Sequence, residues 1–442
     1  MPSQTQSESR WIFPALFLLS HVVRPTRAVV LRTAQAVSTF PLLPRDAVSH
    51  TLRATWQNPT DTLSILLIIG GDIVLQALAQ LSGRTFTPVA FSFGWVTYSF
   101  NTLKSLVGDG RLMPAPDYSA KVVNAESGYT RQNKSWVLGR LLRDFEHPLP
   151  HDVGLSVTVF EAVHARGLAG VPSIDWYWIS GVVIIVIQLG IAAIPCALSE
   201  DWSILFITAA GTLLSLITGM LPQWRLEKWQ CRHNSKKVVS LTGGNGKRHV
   251  MVIIGKGFGL DLEDLATAES PRERTRGKGM SMINGLPTAF WITRLACSIL
   301  ALLWIIFLIT VTALEENAWY LLVVGSIGMI QNVIVAGARR EIGTTGIRLE
   351  KIEVIQRHKV MDTLMDVELA YKNVGKSLVN EFFPNGMKSA ETQWWSGNRE
   401  VYEIEREKKR PQSLMDRGTV AQRALQARRE HSNPEDLPPT KS

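Results

Sequence analysis

The residue with the clearest chemical potential is Asp72, an acidic side chain near the middle of an apolar stretch, Thr62 to Leu81, that contains no Lys or Arg. An ionised carboxylate in hydrocarbon is costly, so such a residue usually faces a cavity, a partner or a transport pathway. Gln76 lies four residues on and shares its helical face. Amides in this and other apolar segments could join the site if the helices pack together: Gln80, Gln188, Gln331 and Asn332. The pattern indicates either a conduction or proton-coupling site or a hydrogen-bonded contact between helices.

A second candidate set combines carboxylates with imidazoles, which are common metal ligands: Asp144, Glu146, His147, His151 and Asp152, followed by Glu161 and His164. Pro148 and Pro150 prevent the first five from lining one face of a helix. A di-iron site in a helical bundle needs two Glu-x-x-His pairs with matching glutamates, and this set supplies one pair. We therefore predict a polar loop and no bound metal. A membrane-embedded enzyme that uses the set is an alternative.

Two glycine motifs resemble parts of nucleotide-binding loops. Gly255, Gly257 and Gly259 follow a predicted strand, but the dinucleotide fingerprint needs a glycine where this chain has Leu260. Gly246 and the lysine after it lack the upstream glycine and the following Ser or Thr of a phosphate-binding loop. Both motifs favour turns, and the sequence predicts no cofactor.

These residues must be positioned mainly by apolar helices. About 20 apolar residues in a helix cross the hydrocarbon of a bilayer, and only a helix satisfies its own backbone there. Six segments of roughly that length are present: Thr62–Leu81, Phe86–Leu106, Tyr177–Ala197, Ser203–Leu221, Leu295–Leu314 and Trp319–Gly337. The first two are weaker, because they contain Asp72 in one case and Pro88, Asn101 and Lys104 in the other. The sequence predicts an α-helical polytopic membrane protein with about six transmembrane helices.

Short turns join these segments into three hairpins: Ser82–Thr85, Ser199–Trp202 and Glu315–Asn317. This arrangement places all three turns on one side of the bilayer and both termini and both long loops on the other. Acidic residues fill two of the turns, whereas Lys and Arg flank the opposite ends, so the positive-inside rule predicts cytosolic termini and loops. Arg84, in the first turn, disagrees with that assignment.

The chain of 442 residues is 46% hydrophobic with a formal net charge of +9. In order, we expect a cytosolic N-terminal segment with a short apolar interfacial run (1–61), a first transmembrane hairpin (62–106), a cytosolic loop (107–176), a second hairpin (177–222), a basic cytosolic loop with a β-hairpin (223–294), a third hairpin (295–337), a cytosolic amphipathic helical region (338–402) and a disordered tail (403–442). The two long loops are expected to form a small cytosolic α+β portion against the membrane. Further strands are predicted at Lys121–Ala125 and Leu155–Ala162, with a short helix at Ser135–Phe145.

Three sequence blocks resemble those of uncharacterised multi-pass integral membrane proteins of filamentous fungi: TPVAFSFGW at Thr87–Trp95, VGDGRLMP at Val107–Pro114 and GLDLEDLA at Gly259–Ala266. The resemblance implies a fungal membrane protein and carries no activity or functional residues.

Three classes of function follow. The first is a membrane-anchored interaction or accessory protein whose cytosolic portion recruits a protein partner. The second is a small transporter or channel that uses Asp72, and the third is the membrane-embedded enzyme. We favour the first, with the lipid bilayer as a partner and no nucleic acid, because Lys and Arg cluster beside the apolar segments.

Overall fold

The structure is a computed structural model that describes residue 63 and residues 65–108, 110–163, 170–269, 282–283, 286–314 and 316–408. Its helices are α1 Gly71–Leu81, α2 Trp95–Val107, α3 Trp136–Phe145, α4 Trp176–Ser199, α5 Ser203–Gly219, α6 Pro222–Lys228, α7 Leu262–Thr267, α8 Thr288–Thr312, α9 Ala318–Gly337, α10 Val360–Ala370, α11 Val374–Phe382, α12 Ser389–Trp395 and α13 Glu400–Lys408. Its strands are β1 Lys121–Asn124, β2 Thr130–Gln132, β3 Leu155–Ala162, β4 Val238–Thr242, β5 His249–Ile254, β6 Met282–Ile283, β7 Leu286–Pro287 and β8 Leu349–Arg357.

Three helices of the described chain, α4, α8 and α9, are long and apolar enough to cross a membrane. A fourth crossing results if α5 and α6 count as one span, since they meet at a bend of 40°. Pro222 stands at the start of α6, where proline is tolerated but cannot bond back to the preceding turn. Six full-length spans are therefore not found in the described residues, and the shortfall lies in the first predicted hairpin.

The first predicted hairpin (62–106) consists of broken segments. Helix α1 has 11 residues and α2 has 13, about half the length needed to cross a bilayer. Each begins after a glycine in the left-handed region, Gly70 with φ 91° and Gly94 with φ 90°. Between the two helices, residues 87–93 are non-helical and wholly buried. We call residues 87–93 the buried linker.

The turn at 82–85 lies at the end of the helix bundle from which the sheet extends. Arg84 donates a hydrogen bond from Nη1 to the carbonyl of Pro172, 2.9 Å away and just before α4 begins. Lys228 at the end of α6 donates to the carbonyl of Ser82 at 2.6 Å. The prediction that all three short turns share one side is therefore wrong for the first turn. The chain enters the bundle through the buried linker and leaves it on the same side through α2.

The long loops fold together around one mixed sheet with strand order β2-β1-β4-β5-β3-β8. Strands β4 and β5 form the expected hairpin, and β3 runs parallel to β5 between it and the antiparallel β8. The α+β portion is thus present. It also includes β8, which comes from the segment after the last predicted span. The run LEKIEVIQR of β8 mixes charged and apolar side chains without strict alternation, and it lies within the region 338–402 that was predicted as helical. Edge pairing with β3 explains why this half-exposed stretch is a strand.

The predicted amphipathic helix of that region forms as two helices, α10 and α11, whose apolar faces pack on the sheet. Leu364, Val367, Val374 and Leu378 share a buried cluster with Val157 and Val252 from the strands. The prediction of a disordered tail from residue 403 is wrong for its first six residues, because α13 extends to Lys408. Tyr402 and Arg406 fix this helix by bonding to Asp362 and Asp366 on α10. The predictions for residues 1–61 and for 409–442 fall outside the described residues.

Candidate functional site

Asp72 lies on the outside of the bundle. It occupies the first turn of α1, where a carboxylate interacts favourably with the positive end of the helix dipole, and its side chain is exposed. Gln76 follows one turn later and is half-buried. Gln188, Gln331 and Asn332 form their hydrogen bonds elsewhere, and the buried Nε2 of Gln80 has no hydrogen-bond partner among the described residues. The structure therefore does not gather the set around Asp72.

Gln188 and Asn332 hold the buried linker in place. Gln188 of α4 donates from Nε2 to the carbonyl of Phe91 at 2.6 Å and to that of Val324 at 2.8 Å. Asn332 of α9 donates from Nδ2 to the carbonyl of Ala90 at 3.1 Å and to the Ser92 hydroxyl at 2.8 Å. Non-helical backbone at membrane depth is tolerated only where the protein satisfies it. These two amides therefore replace hydrogen bonds that a helix would have made.

Further donors continue this pattern along the linker. Ser215 of α5 donates to the carbonyl of Val89, and Trp178 of α4 donates from its indole to the carbonyl of Phe86, the second residue before Pro88 and just outside the linker. Gln331 forms a separate contact, from Nε2 to the Ser180 hydroxyl at 2.7 Å, which joins α9 to α4. Gln188, Gln331 and Asn332 are thus contacts between structural elements.

Glycines let the helices approach the linker closely. A Cβ on Gly325 would lie 2.5 Å from the Phe93 ring, and one on Gly328 would overlap the carbonyl oxygen of Phe91. The two helix breaks also meet, because a Cβ on Gly94 would lie 2.6 Å from the carbonyl carbon of Gly70. The crossing point of α1 and α2 is therefore close-packed backbone with no room for a ligand between the glycines.

The carboxylate and histidine set is dispersed into separate contacts. Asp144 pairs with Arg143 at 2.7 Å, Glu146 accepts from the Tyr118 hydroxyl, and Glu161 pairs with Lys256 at 2.5 Å. The ring of His147 lies tilted against that of His249, with 4.7 Å between the centroids, and His164 lies outside the described residues. Within the ranges that the structure describes, no group of three or more such side chains could hold a metal ion.

Buried cations join the ends of the bundle helices to one another. Lys228 is fully buried and donates from Nζ to the carbonyls of Ala79, Gln80 and Ser82, at 2.8, 3.1 and 2.6 Å, which caps the end of α1. Arg340 donates to the same carbonyl of Gln80 and pairs with Asp175 at 2.7 Å. Carbonyls at a helix C-terminus lack partners within the helix and attract cations.

Helix α3 closes the end of α9 in the same way. Arg140 donates to the carbonyl of Ala336 at 2.6 Å and Arg143 donates to that of Ala338 at 2.7 Å. Arg140 is 2% exposed and its charge is balanced by Asp117 at 2.7 Å. The sheet unit is therefore fastened to the helix ends by specific charged contacts.

A cavity of about 600 Å³ lies at the end of the sheet that faces the bundle. The glycine turn 255–259, the start of β8 and the end of β3 surround it. Lys256 and Gly257 take left-handed conformations, with φ 47° and 83°, which directs the turn around the cavity. Ligands of open sheets commonly bind beyond the carboxyl ends of parallel strands, and β3 and β5 both end here.

The cavity combines an apolar floor with a cationic rim. Val239, Ile253 and Ile347 contribute to the floor. His233, Lys237 and Arg348 contribute the rim, and no Asp or Glu is among the described residues that line the cavity. Lys237 is paired with two carboxylates, Asp261 and Glu263, at 3.0 and 2.8 Å, whereas the side chain of Arg348 is exposed. Arg348 is thus the rim cation most available to an anion.

Sequence reasoning missed the buried linker and the cavity. Pro88 and Gly94 were signals for the first, because both interrupt helices, yet the apolar composition around them is that of a span. The cavity had a signal in the glycine turn, whose position relative to Arg348 depends on sheet pairing. The chain shows no match to the protein-family models, the curated proteins or the solved structures with which it was compared.

Proposed function

We propose that this protein is a multi-pass membrane anchor whose cytosolic α+β unit carries the binding function, as an interaction or accessory protein. The observation that carries the proposal is the use of the intramembrane amides. Gln188 and Asn332 bond to the backbone of the buried linker, so they are committed to structure. We therefore assign binding to the unit built on the sheet, where the cavity lies.

The proposed topology follows from charge and geometry. Helices α4, α5, α8 and α9 cross the bilayer, while the linker and α2 enter and leave on the side of the sheet. Arg84, Lys228 and Arg340 all lie at that end, and Asp201 lies at the opposite end, where it accepts a hydrogen bond from Asn317 at 2.8 Å. Lys and Arg accumulate on the cytosolic side, which supports a cytosolic sheet unit. The position of Arg84 agrees with this rule once the first turn is placed there.

The rigid junction supports an anchoring role. Buried charged groups that bond to the carbonyls at a helix end are costly to rearrange, because removal of one partner leaves the others unpaired. Arg140 and Arg143 of α3, the helix between β2 and β3, therefore hold the sheet unit at a fixed orientation to α9. An anchored binding unit needs such a fixed orientation, and a flexible tether would not provide it.

Site-directed labelling tests the topology. After replacement of Cys196, Cys231 and Cys297, single cysteines are introduced as Thr85→Cys, Glu200→Cys and Lys376→Cys, all at exposed positions. A membrane-impermeant maleimide on sealed vesicles should label positions 85 and 376 from the same side and position 200 from the other. Labelling of positions 85 and 200 from one side would contradict the proposal and restore the simple hairpin.

A transporter that uses Asp72 is the second candidate, and one observation favours it. Two half-length helices begin near each other at Gly70 and Gly94, and broken helices of this kind bind substrates and ions in transporters. The same vesicles carrying Asp72→Cys discriminate between the two candidates. Reaction of position 72 with the impermeant reagent would indicate a water-filled pathway and favour transport. Protection of position 72 would favour the anchor.

A further inference from the structure

We propose that the cavity at the end of the sheet binds the phosphate headgroup of an anionic phospholipid. Its volume of about 600 Å³ lies within the range of small-molecule sites, about 300–1,000 Å³. A lipid is amphipathic, as the cavity is: the rim offers cations and the floor offers apolar side chains. The inference rests on the membrane placement in the proposed function and adds a ligand to it.

The charge of the lining selects an anion. Arg348 is exposed at the rim, and the lining residues that the structure describes include no carboxylate to neutralise its guanidinium. A guanidinium suits phosphate oxygens because its planar fork can donate two parallel hydrogen bonds. Asn234 and Ser235 add neutral polar groups beside His233. A phosphate group thus meets a cation and several hydrogen-bonding groups at one place.

The position of the cavity favours a lipid as the source of that phosphate. Gly346 lines the cavity, and a Cβ on it would lie 2.9 Å from the ring of Trp229, the residue directly after Lys228. Lys228 caps the end of α1, so the cavity lies at the level where the helices end. Basic pockets at the cytoplasmic ends of transmembrane helices are typical headgroup sites.

The turn beside the cavity also suits a bilayer surface. Phe258, at the turn, is 47% exposed and lies two residues after Lys256, whose ammonium pairs with Glu161. A phenylalanine ring on a membrane-facing surface can insert at the boundary between headgroups and acyl chains. A lipid headgroup could therefore enter the cavity from the surface that this turn contacts, with its glycerol and upper acyl atoms over Ile347 and Leu349.

Binding is tested on the purified full-length protein in zwitterionic detergent by native mass spectrometry. The probes are dioctanoyl phosphatidic acid, dioctanoyl phosphatidylcholine and inorganic phosphate. We expect one phosphatidic acid per protein, at least about tenfold tighter than phosphatidylcholine. Equal binding of the two lipids would overturn the proposal. Binding of inorganic phosphate as tight as that of the lipid would overturn the assignment to a lipid and indicate a soluble phosphate compound.

Variants assign the site. Arg348→Gln should weaken phosphatidic acid binding about tenfold, as expected for loss of a charge-assisted pair. Arg225→Gln removes the same charge from an exposed position on α6 that does not line the cavity, and it should leave the affinity unchanged within about twofold. An equal loss in the two variants would indicate unspecific attraction and overturn the site.

A third variant tests the cavity without altering charge. Val163 is 41% exposed and lines the cavity, so Val163→Trp should fill part of it while the protein still folds. We expect binding to fall at least about fivefold, and unchanged binding would contradict the assignment. Because the assay is done in detergent, its failure is distinguishable from failure of the vesicle labelling that tests the topology.

Discussion

The buried linker and the sheet satisfy their backbones in opposite ways. In the sheet, strands such as β3 and β5 exchange hydrogen bonds between main chains. In the linker, the carbonyls of Ala90 and Phe91 accept from the side chains of Asn332 and Gln188. Main-chain pairing tolerates most substitutions, whereas a carbonyl bonded to one amide depends on that single residue. The difference predicts which mutations each region can accept.

The sheet and the buried linker also differ in the size of the residues that pack against them. The sheet is covered by large apolar side chains, with Leu364 and Leu378 buried against strand valines. The linker is covered by helices that carry glycine at the contacts, among them Gly325 and Gly328. In hydrocarbon there is little hydrophobic gain from burying one apolar group against another, so close backbone approach replaces it. Loss of volume should therefore harm the sheet unit, and gain of volume should harm the bundle.

The largest effect is expected for Leu364→Ala, which removes a fully buried side chain between α10 and the sheet. Such a substitution leaves a cavity and costs about 2–5 kcal/mol of unfolding free energy. Leu369→Ala on the same helix is the control, because Leu369 is 51% exposed, and it should cost under about 1 kcal/mol. Denaturant unfolding followed by circular dichroism measures both. Similar losses would mean that α10 does not cover the sheet.

Gly328→Ala tests the opposite rule in the bundle. The new methyl group would overlap the carbonyl of Phe91, so the linker or α9 must move, at a cost of about 1–3 kcal/mol or somewhat more. Gly190→Ala on α4 is the control, since a Cβ there meets nothing within 4 Å. It should be neutral or stabilising by up to about 1 kcal/mol through helix propensity. Thermal unfolding in detergent compares them, and equal midpoints would argue against a packed linker.

Gln188→Met removes the amide that bonds to the linker while it keeps the size of the side chain. The buried carbonyl of Phe91 then loses its donor, which costs about 1–3 kcal/mol. Gln331→Met should cost less, because the Ser180 hydroxyl that accepts from Gln331 also bonds to the carbonyl of Tyr177. The same thermal assay ranks the two variants. A larger loss at position 331 would show that the α9–α4 contact matters more than the linker.

The smallest effect is expected from pH, in the sheet unit. Burial lowers the pKa of His249. The hydrogen bond between its Nε2 and the carbonyl of His147, 2.7 Å long, acts in the opposite direction. Nearby Glu146 favours the charged ring, and Arg248 disfavours it. Because the pKa of His249 is lower in the folded than in the unfolded protein, the folded state favours the neutral ring. The stability that His249 contributes is therefore complete above the ordinary pKa of about 6.5, and it is lost as pH falls toward the folded pKa.

Unfolding free energies of the wild type and of His249→Gln, compared from pH 7.5 to 5, measure this effect. The wild type should lose stability more steeply on acidification than the variant. His151→Gln, at an exposed position, should follow the wild-type profile. Parallel profiles for all three proteins would show that His249 does not couple stability to pH.

Much of the sheet unit was predictable because its signals are local. The glycine-rich turn between two apolar runs predicted the hairpin of β4 and β5, and the apolar run Leu155–Ala162 predicted β3. Strand β8 was missed, since its pattern is decided by the edge of β3 that it joins. The packing of α10 and α11 against the sheet follows from the helical spacing of their apolar residues.

By itself, the sequence determined the apolar helices α4, α8 and α9, because spans of this length have no other stable solution in hydrocarbon. It did not determine the path of residues 62–106, whose composition suits a helix as well as a buried linker. Tertiary structure decided that path through Gly328, which allows close approach, and through Gln188 and Asn332, which supply the missing donors. It also decided that Asp72 lies apart from those amides, since its direction depends on where α1 begins, at Gly70.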